Sequence, residues 1–303
     1  MSQDESADAL AAAVDRVLNS GDFTDADLTQ MRAGLDAFAD LVSVTEPVHR
    51  VEESLLDLPG RRIRLRTYRP DPVGSATLVW FHGGGYVSGT LDAIDPVCRV
   101  LANRTGVTVV SVDYRLAPEH PYPAALDDCL AALDAVAATA EGSLAIGGDS
   151  AGGGLAAAVA RRTSVRLSAQ LLLCPWLDVS LSCPSVRAKG TDHGLTEASL
   201  RGFARMYLGG DGDPADPGAS PLLGEDVTGL PATIVVTAEN DPLCDEGERY
   251  AERIVAAGGR ARVRRWDAMV HGFVGMTAEL VEAEEALTWS CDQLRLELTP
   301  PVA

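Results

Sequence analysis

Lysine is nearly missing from this 303-residue sequence: Lys189 stands alone, the other 24 of 25 basic side chains are arginines, and 44 acidic residues set the net charge at −19. A chain so acidic repels phosphate backbones and anionic lipid surfaces, which argues against nucleic acid as a ligand and against stable membrane association. No apolar run approaches the roughly 20 residues that span a bilayer. The opening Met1-Ser2-Gln3-Asp4-Glu5-Ser6 carries acid where a secretory leader needs positive charge, so a cytoplasmic location is expected. The cysteines, Cys98, Cys129, Cys174, Cys183, Cys244 and Cys291, form neither a C-x-x-C pair nor a zinc-ligand spacing. They read as reduced, mostly buried thiols, and neither a metal nor a cofactor is expected. Internal repeats and heptads are lacking too.

What the chain does have is apolar mass, 46% of its residues, enough for one large core or two domains. Helical spacing runs over residues 7–18 and 25–41, with Thr24 and Asp25 as caps for the second helix. From Val48 the pattern turns to strands, where Ile63, Leu65 and Thr67 alternate with Arg62, Arg64 and Arg66 as in a solvent-facing antiparallel strand. Continuous apolar runs follow at 76–81, 107–112, 144–148, 169–174 and 232–237, mostly separated by helical pattern, which is how buried parallel strands read. The predicted fold is α/β, a mostly parallel central sheet flanked by helices, with an N-terminal helical segment 1–47 and a main domain 48–303. The interval 179–223 is too long for one crossover helix. It carries a capped helix from Thr196 through Leu208 and then a run, 209–218, of glycine, proline and aspartate that resists regular structure. Insertions at the carboxyl ends of strands border the ligand crevice, so this one is expected to form a lid.

Two motifs carry chemistry. Gly148-Asp149-Ser150-Ala151-Gly152 follows an apolar run and opens an alanine-rich helix, the context of a nucleophile elbow, where the turn around the serine leaves no room for side chains two residues away. His82-Gly83-Gly84-Gly85 follows the run Leu78-Val79-Trp80-Phe81, and its glycines allow backbone N–H groups to face a cavity. This matches the loop that completes an oxyanion hole in lipases and esterases.

With Asp113-Tyr114-Arg115-Leu116-Ala117-Pro118-Glu119, Asp241-Pro242-Leu243, Asp245-Glu246-Gly247 and His271-Gly272-Phe273, these motifs make the chain resemble the hormone-sensitive lipase family of α/β-hydrolases, in its bacterial carboxylesterase branch, from about Val48 to the last helix. The resemblance implies the α/β-hydrolase fold and a helical cap made of the N-terminal helices and the insertion. It also implies an edge-strand homodimer. Two departures stand out: Cys244 replaces the arginine frequent after Asp-Pro-Leu, and Ala268 the glycine frequent before Met-x-His.

Among the histidines, His49 and His193 have ordinary surface readings, His120 sits in an extended turn, and His82 belongs to the glycine loop. That leaves His271, after the alternating segment 260–266, as the base, since α/β-hydrolases order their triad serine, acid, histidine. The acid should follow the run 233–237. Glu239, Asp241, Asp245 and Glu246 qualify, with Asp267 more distant; Asp245 and Glu246 read as first-turn helix carboxylates. Pro242 would fix the backbone just after Asp241, and the resemblance aligns Asp241 with the family's acid, so it is preferred, with Glu239 next. Ser150 is then the nucleophile, and the N–H groups of Gly83, Gly84 and Ala151 are the expected oxyanion donors. Tyr86, Trp176, Leu177, Met206, Tyr207 and Phe273 are candidates for the pocket lining. The expected substrate is a small-molecule ester with a short or medium acyl group; the alternatives are an amide or a specific acetylated metabolite served by the same triad, or a non-catalytic receptor on the same fold.

Overall fold

A computed structural model describes residues 25–191 and 194–298. The helix expected over 7–18 and His193 lie outside the described residues. The chain enters through α1 (Asp25–Val42) and then builds an eight-stranded sheet from β1 (Arg50–Leu58), β2 (Arg61–Arg69), β3 (Thr77–Phe81), β4 (Thr108–Asp113), β5 (Leu144–Asp149), β6 (Ala169–Leu173), β7 (Ala232–Asn240) and β8 (Ala261–Val270). The strands lie in the order β1-β2-β4-β3-β5-β6-β7-β8, and only the β1/β2 and β2/β4 pairings are antiparallel. Between strands run α2 (Asp95–Thr105), α3 (Ala124–Ala137), α4 (Ala151–Arg162) and α7 (Cys244–Ala256), and α8 (Val281–Leu298) closes the described chain.

The five apolar runs became β3 to β7 because these strands are covered on both faces and have no solvent side to mark with polar residues. Alternate residues feed two cores. Val79 and Phe81 pack toward α3, α4 and α7, while Leu78 and Trp80 pack toward α2 and α8. On β2 the expected alternation holds on one face, with Ile63 and Leu65 buried and Arg62 and Arg64 exposed. The segment read as alternating before His271 behaves differently: along β8, at the sheet edge, only Trp266 is buried, and Val263 is 43% exposed. Arg260 and Arg262 pair there with Glu297 on α8, so arginines guard the open edge.

The insertion 179–223 holds α5 (Pro184–Lys189), α6 (Glu197–Leu208) and a short 3₁₀ turn (Pro221–Leu223). Thr196 caps α6 as expected, its Oγ1 accepting the Ser199 N–H at 3.0 Å. Entry and exit of the insertion are clasped together: Leu222 N–H donates to the Leu177 carbonyl, and Val179 N–H to Ser220 Oγ.

The chain order reverses at β3, between β4 and β5, so a crevice opens at the carboxyl ends of β3 and β5. Those ends carry His82 and Ser150. Behind the crevice, Arg61 at the start of β2 and Arg115 just after β4 meet on Asp128, which is fully buried on α3 and binds them at 2.6 Å and 2.8 Å. Asp128→Ala leaves both guanidinium groups without their shared carboxylate and should lower the unfolding free energy by about 2–4 kcal/mol, measured by urea denaturation. A loss below about 1 kcal/mol would contradict this role.

Candidate active site

The elbow is formed as its sequence demands. Ser150 takes φ 51° and ψ −120°, a combination that non-glycine residues adopt only when their surroundings enforce it. A Cβ on Gly148 would collide with the backbone of Gly152, and one on Gly152 with the carbonyl of Phe81. The Ser150 N–H donates to the Leu173 carbonyl at 2.8 Å and its carbonyl accepts from Trp176 N–H at 2.9 Å, so both sides of the turn are held by β6 and the segment after it.

His271 and Asp241 meet Ser150 in one hydrogen-bonded line. His271 Nε2 lies 2.9 Å from Ser150 Oγ, and Nδ1 lies 2.8 Å from Asp241 Oδ2. The second oxygen of Asp241 accepts the Leu243 N–H at 2.8 Å, and the carboxylate is fully buried. Burial pulls the imidazole pKa down, but the charge and hydrogen bond of Asp241, helped by Asp149, outweigh it and hold His271 above its ordinary value. The other acids have separate duties. Glu239 is exposed and accepts the Ala268 N–H at 2.7 Å, Asp267 is exposed, and Asp245 accepts the Ser185 N–H at 2.9 Å. Glu246 exceeds the reading of a helix-terminal carboxylate: it is fully buried, and its Oε2 accepts the N–H groups of Leu177 and Asp178 where the insertion begins.

The glycine loop lies beside Ser150, stiffened by its neighbours. The His82 ring stacks on Tyr114 at 4.3 Å, its Nδ1 meets the Gly83 carbonyl at 2.7 Å, and the Tyr114 hydroxyl donates to the His82 carbonyl at 2.7 Å. Burial lowers the His82 pKa, so the ring is neutral and structural. His120 and His49 are exposed. One oxyanion assignment needs correction: the Gly83 N–H points at Asp149 Oδ2, 3.0 Å away, because that carboxylate braces the loop against the elbow. The N–H groups of Gly84 and Ala151 donate to no protein acceptor among the described residues and stay available. Burial pushes the Asp149 carboxyl up to about 6, against the hydrogen bonds that lower it.

Above these groups is a cavity of about 340 Å³ that reaches Ser150 and His271. Its walls differ from the expected lining. Of the six candidates only Trp176 borders it. Tyr86 and Tyr207 are instead stacked on each other with ring centres 3.7 Å apart, and Leu177 and Met206 are buried in the same core cluster. Phe273 is buried on the other side of the sheet, against Trp266. The walls come from Leu35, Phe38 and Val42 on α1 and from Leu200 and Phe203 on α6, with Val274 and Met276 beyond His271. The sequence did hold a signal for the first three: spaced by three and four residues, they form one stripe of a helix.

The model of the α/β-hydrolase fold family matches residues 78–275. The carboxylic ester hydrolase LipN of Mycobacterium tuberculosis is 38% identical over 83% of this chain and 72% of its own length. The ethyl acetate hydrolase of Pseudomonas putida is 36% identical over 81% of this chain and 82% of its own. Among solved structures, the esterase of Pyrobaculum calidifontis superposes with a TM-score of 0.85 at 36% identity, covering 92% of this chain and 96% of its own. With a family match over most of its length and esterase relatives covered over more than two thirds of theirs, the chain belongs to the α/β-hydrolase fold family, and its carboxylic ester hydrolase relatives are consistent with the resemblance to the hormone-sensitive lipase family in its bacterial carboxylesterase branch.

Proposed function

We propose that the protein is a carboxylesterase that hydrolyses short to medium acyl esters through an acyl-Ser150 intermediate. The observation that carries this reading is the line from Ser150 Oγ through His271 to Asp241, at 2.9 and 2.8 Å, opening into an apolar cavity. His271 accepts the Ser150 proton as Oγ attacks the ester carbonyl, and Asp241 fixes the tautomer and stabilises the imidazolium. Negative charge then gathers on the former carbonyl oxygen. The free N–H groups of Gly84 and Ala151 receive it, with the α4 N-terminus behind them. Each such donor lowers the barrier by about 3–4 kcal/mol. Collapse expels the alcohol, protonated by His271, and water attacks the acyl-serine with His271 again as base. Gly83 and Asp149 act by holding the loop, one step removed from the oxyanion.

Substrate size follows from the walls. A volume of about 340 Å³ is at the small end of the roughly 300–1,000 Å³ range of ligand pockets, and the lining is mostly apolar. The relative named ethyl acetate hydrolase has a short ester in its name. Both favour short soluble esters over long-chain lipid.

Ser150→Ala and His271→Ala should each lower kcat/KM on a chromogenic butyrate ester by at least about 10⁴-fold. A fluorophosphonate should label Ser150 alone. Asp241→Asn should cost about 10³-fold or more while Glu239→Gln stays within a few-fold. Equal losses from those two substitutions would leave the acid at neither position.

A panel of p-nitrophenyl esters should peak at short to medium chains and fall off for long ones. Phe203→Ala, which removes a wall of the cavity, should move the optimum toward longer acyl groups. An optimum that is unmoved, or that sits at long chains in the wild type, would refute the size argument.

A further inference from the structure

One thiol lies where a soft metal ion could seize the base. Cys174 follows β6 with a φ of 44°, a left-handed conformation that a side chain accepts only under constraint. That conformation places Sγ beside the acid and base: one ligand atom each from Cys174, Asp241 and His271 lies within 4.8 Å of the others. The thiol is buried. Cys174 and His271 both border the cavity, which supplies an entry route and room for a water as fourth ligand.

The remaining thiols lack this company. Cys183 faces Arg249 at 3.4 Å and Cys244 faces Lys189 at 3.0 Å, cations that repel a metal ion. Among the described residues the Cys174, Asp241 and His271 group is the one such cluster found.

We propose that Cys174, Asp241 and His271 form an inhibitory site for a thiophilic divalent cation such as Zn²⁺, rather than a cofactor site. A thiolate, an imidazole and a carboxylate are a donor set that zinc accepts, and around a tetrahedral ion they stand about 3.3–3.6 Å apart. The ligands therefore need to close in by side-chain rotation without a backbone shift. Binding forms three bonds, to Sγ, to a carboxylate oxygen and to Nδ1. The thiol proton leaves to solvent, and the proton of Nδ1 transfers to Nε2. A neutral imidazole that has spent Nδ1 on a metal carries its hydrogen at Nε2, so it donates toward Ser150 and cannot take the serine proton. Inhibition follows from the tautomer.

This loss of activity rests on the triad proposed above, whereas metal binding does not, and the test separates the two. In thiol-free buffer, Zn²⁺ should inhibit the wild type reversibly, with EDTA restoring the rate and Mg²⁺ having no effect. Cys174→Ser should raise the half-inhibitory Zn²⁺ concentration at least about 10-fold relative to its own metal-free rate, because a hydroxyl is a far poorer ligand for zinc than a thiolate. Cys183→Ser should leave that concentration within about two-fold of wild type. Independently of activity, Co²⁺ should give a thiolate-to-cobalt charge-transfer band in the wild type and in Ser150→Ala, and none in Cys174→Ser. A wild type without that band, a band that survives in Cys174→Ser, or Zn²⁺ inhibition unchanged in Cys174→Ser would overturn the proposal. If the wild type hydrolyses no ester but shows the Cys174-dependent band, the esterase reading fails and the site stands.

Discussion

Helix α4 begins so close to the end of β3 that no side chain fits at Gly148 or Gly152, and that contact forces the turn in which Ser150 takes φ 51° and ψ −120°. The strain is of order 1–3 kcal/mol and persists because strands on either side over-determine it. β6 accepts the Ser150 N–H, and the segment after β6 returns a hydrogen bond to its carbonyl. A serine fixed in this way projects Oγ beyond the sheet, with the first N–H groups of α4 at its back. The other parts of the site are arranged with respect to that point: the glycine loop across from it at the end of β3, and Asp241 and His271 on segments that follow β7 and β8.

Charge inside the fold is handled one carboxylate at a time. Asp128 has two guanidinium partners, Asp178 accepts from the hydroxyls and N–H groups of Ser180 and Ser182, and Glu246 accepts two backbone N–H groups. Asp241 differs, since one of its oxygens is bound to backbone and the other to the His271 imidazole. The imidazole beside this carboxylate is held above its ordinary pKa despite burial. Asp149 occupies the intermediate case. It has one N–H to hold, and burial has pushed its carboxyl up to about 6.

How far this could be read in advance varied by layer. The parallel strands were legible because β3 to β7 are buried on both faces and leave continuous apolar runs. The elbow and the His271 line were legible because glycine at 148 and 152 and the chain order of acid and base are imposed by covalent geometry and topology. β8 was harder, since an edge strand that carries arginines paired to glutamates has no apolar face to display. The brace from Asp149 to Gly83 was not legible at all: it joins residues 66 positions apart, and nothing in a glycine loop announces which amide has already been spent.

The cavity walls were least legible, because lining depends on helix rotation and not on residue type. On α6, Leu200 and Phe203 border the cavity while Met206 and Tyr207, one turn later, are buried in the core cluster. A helix of apolar residues facing two partners offers no sequence mark for the boundary between them. On α1 the decisive residue is polar. Arg32 donates to the Val87 and Ala117 carbonyls at 2.7 and 3.0 Å and grips Glu119 with both terminal nitrogens. This gives the run from Asp113 to Glu119 a physical meaning: Tyr114 fixes the glycine loop, Arg115 engages Asp128, and Ala117 with Glu119 docks the helix that carries Leu35, Phe38 and Val42. One segment thus ties the glycine loop to a wall of the cavity. Changes on α1 can therefore retune which ester fits without touching the atoms that cleave it, whereas changes within the segment disturb both together.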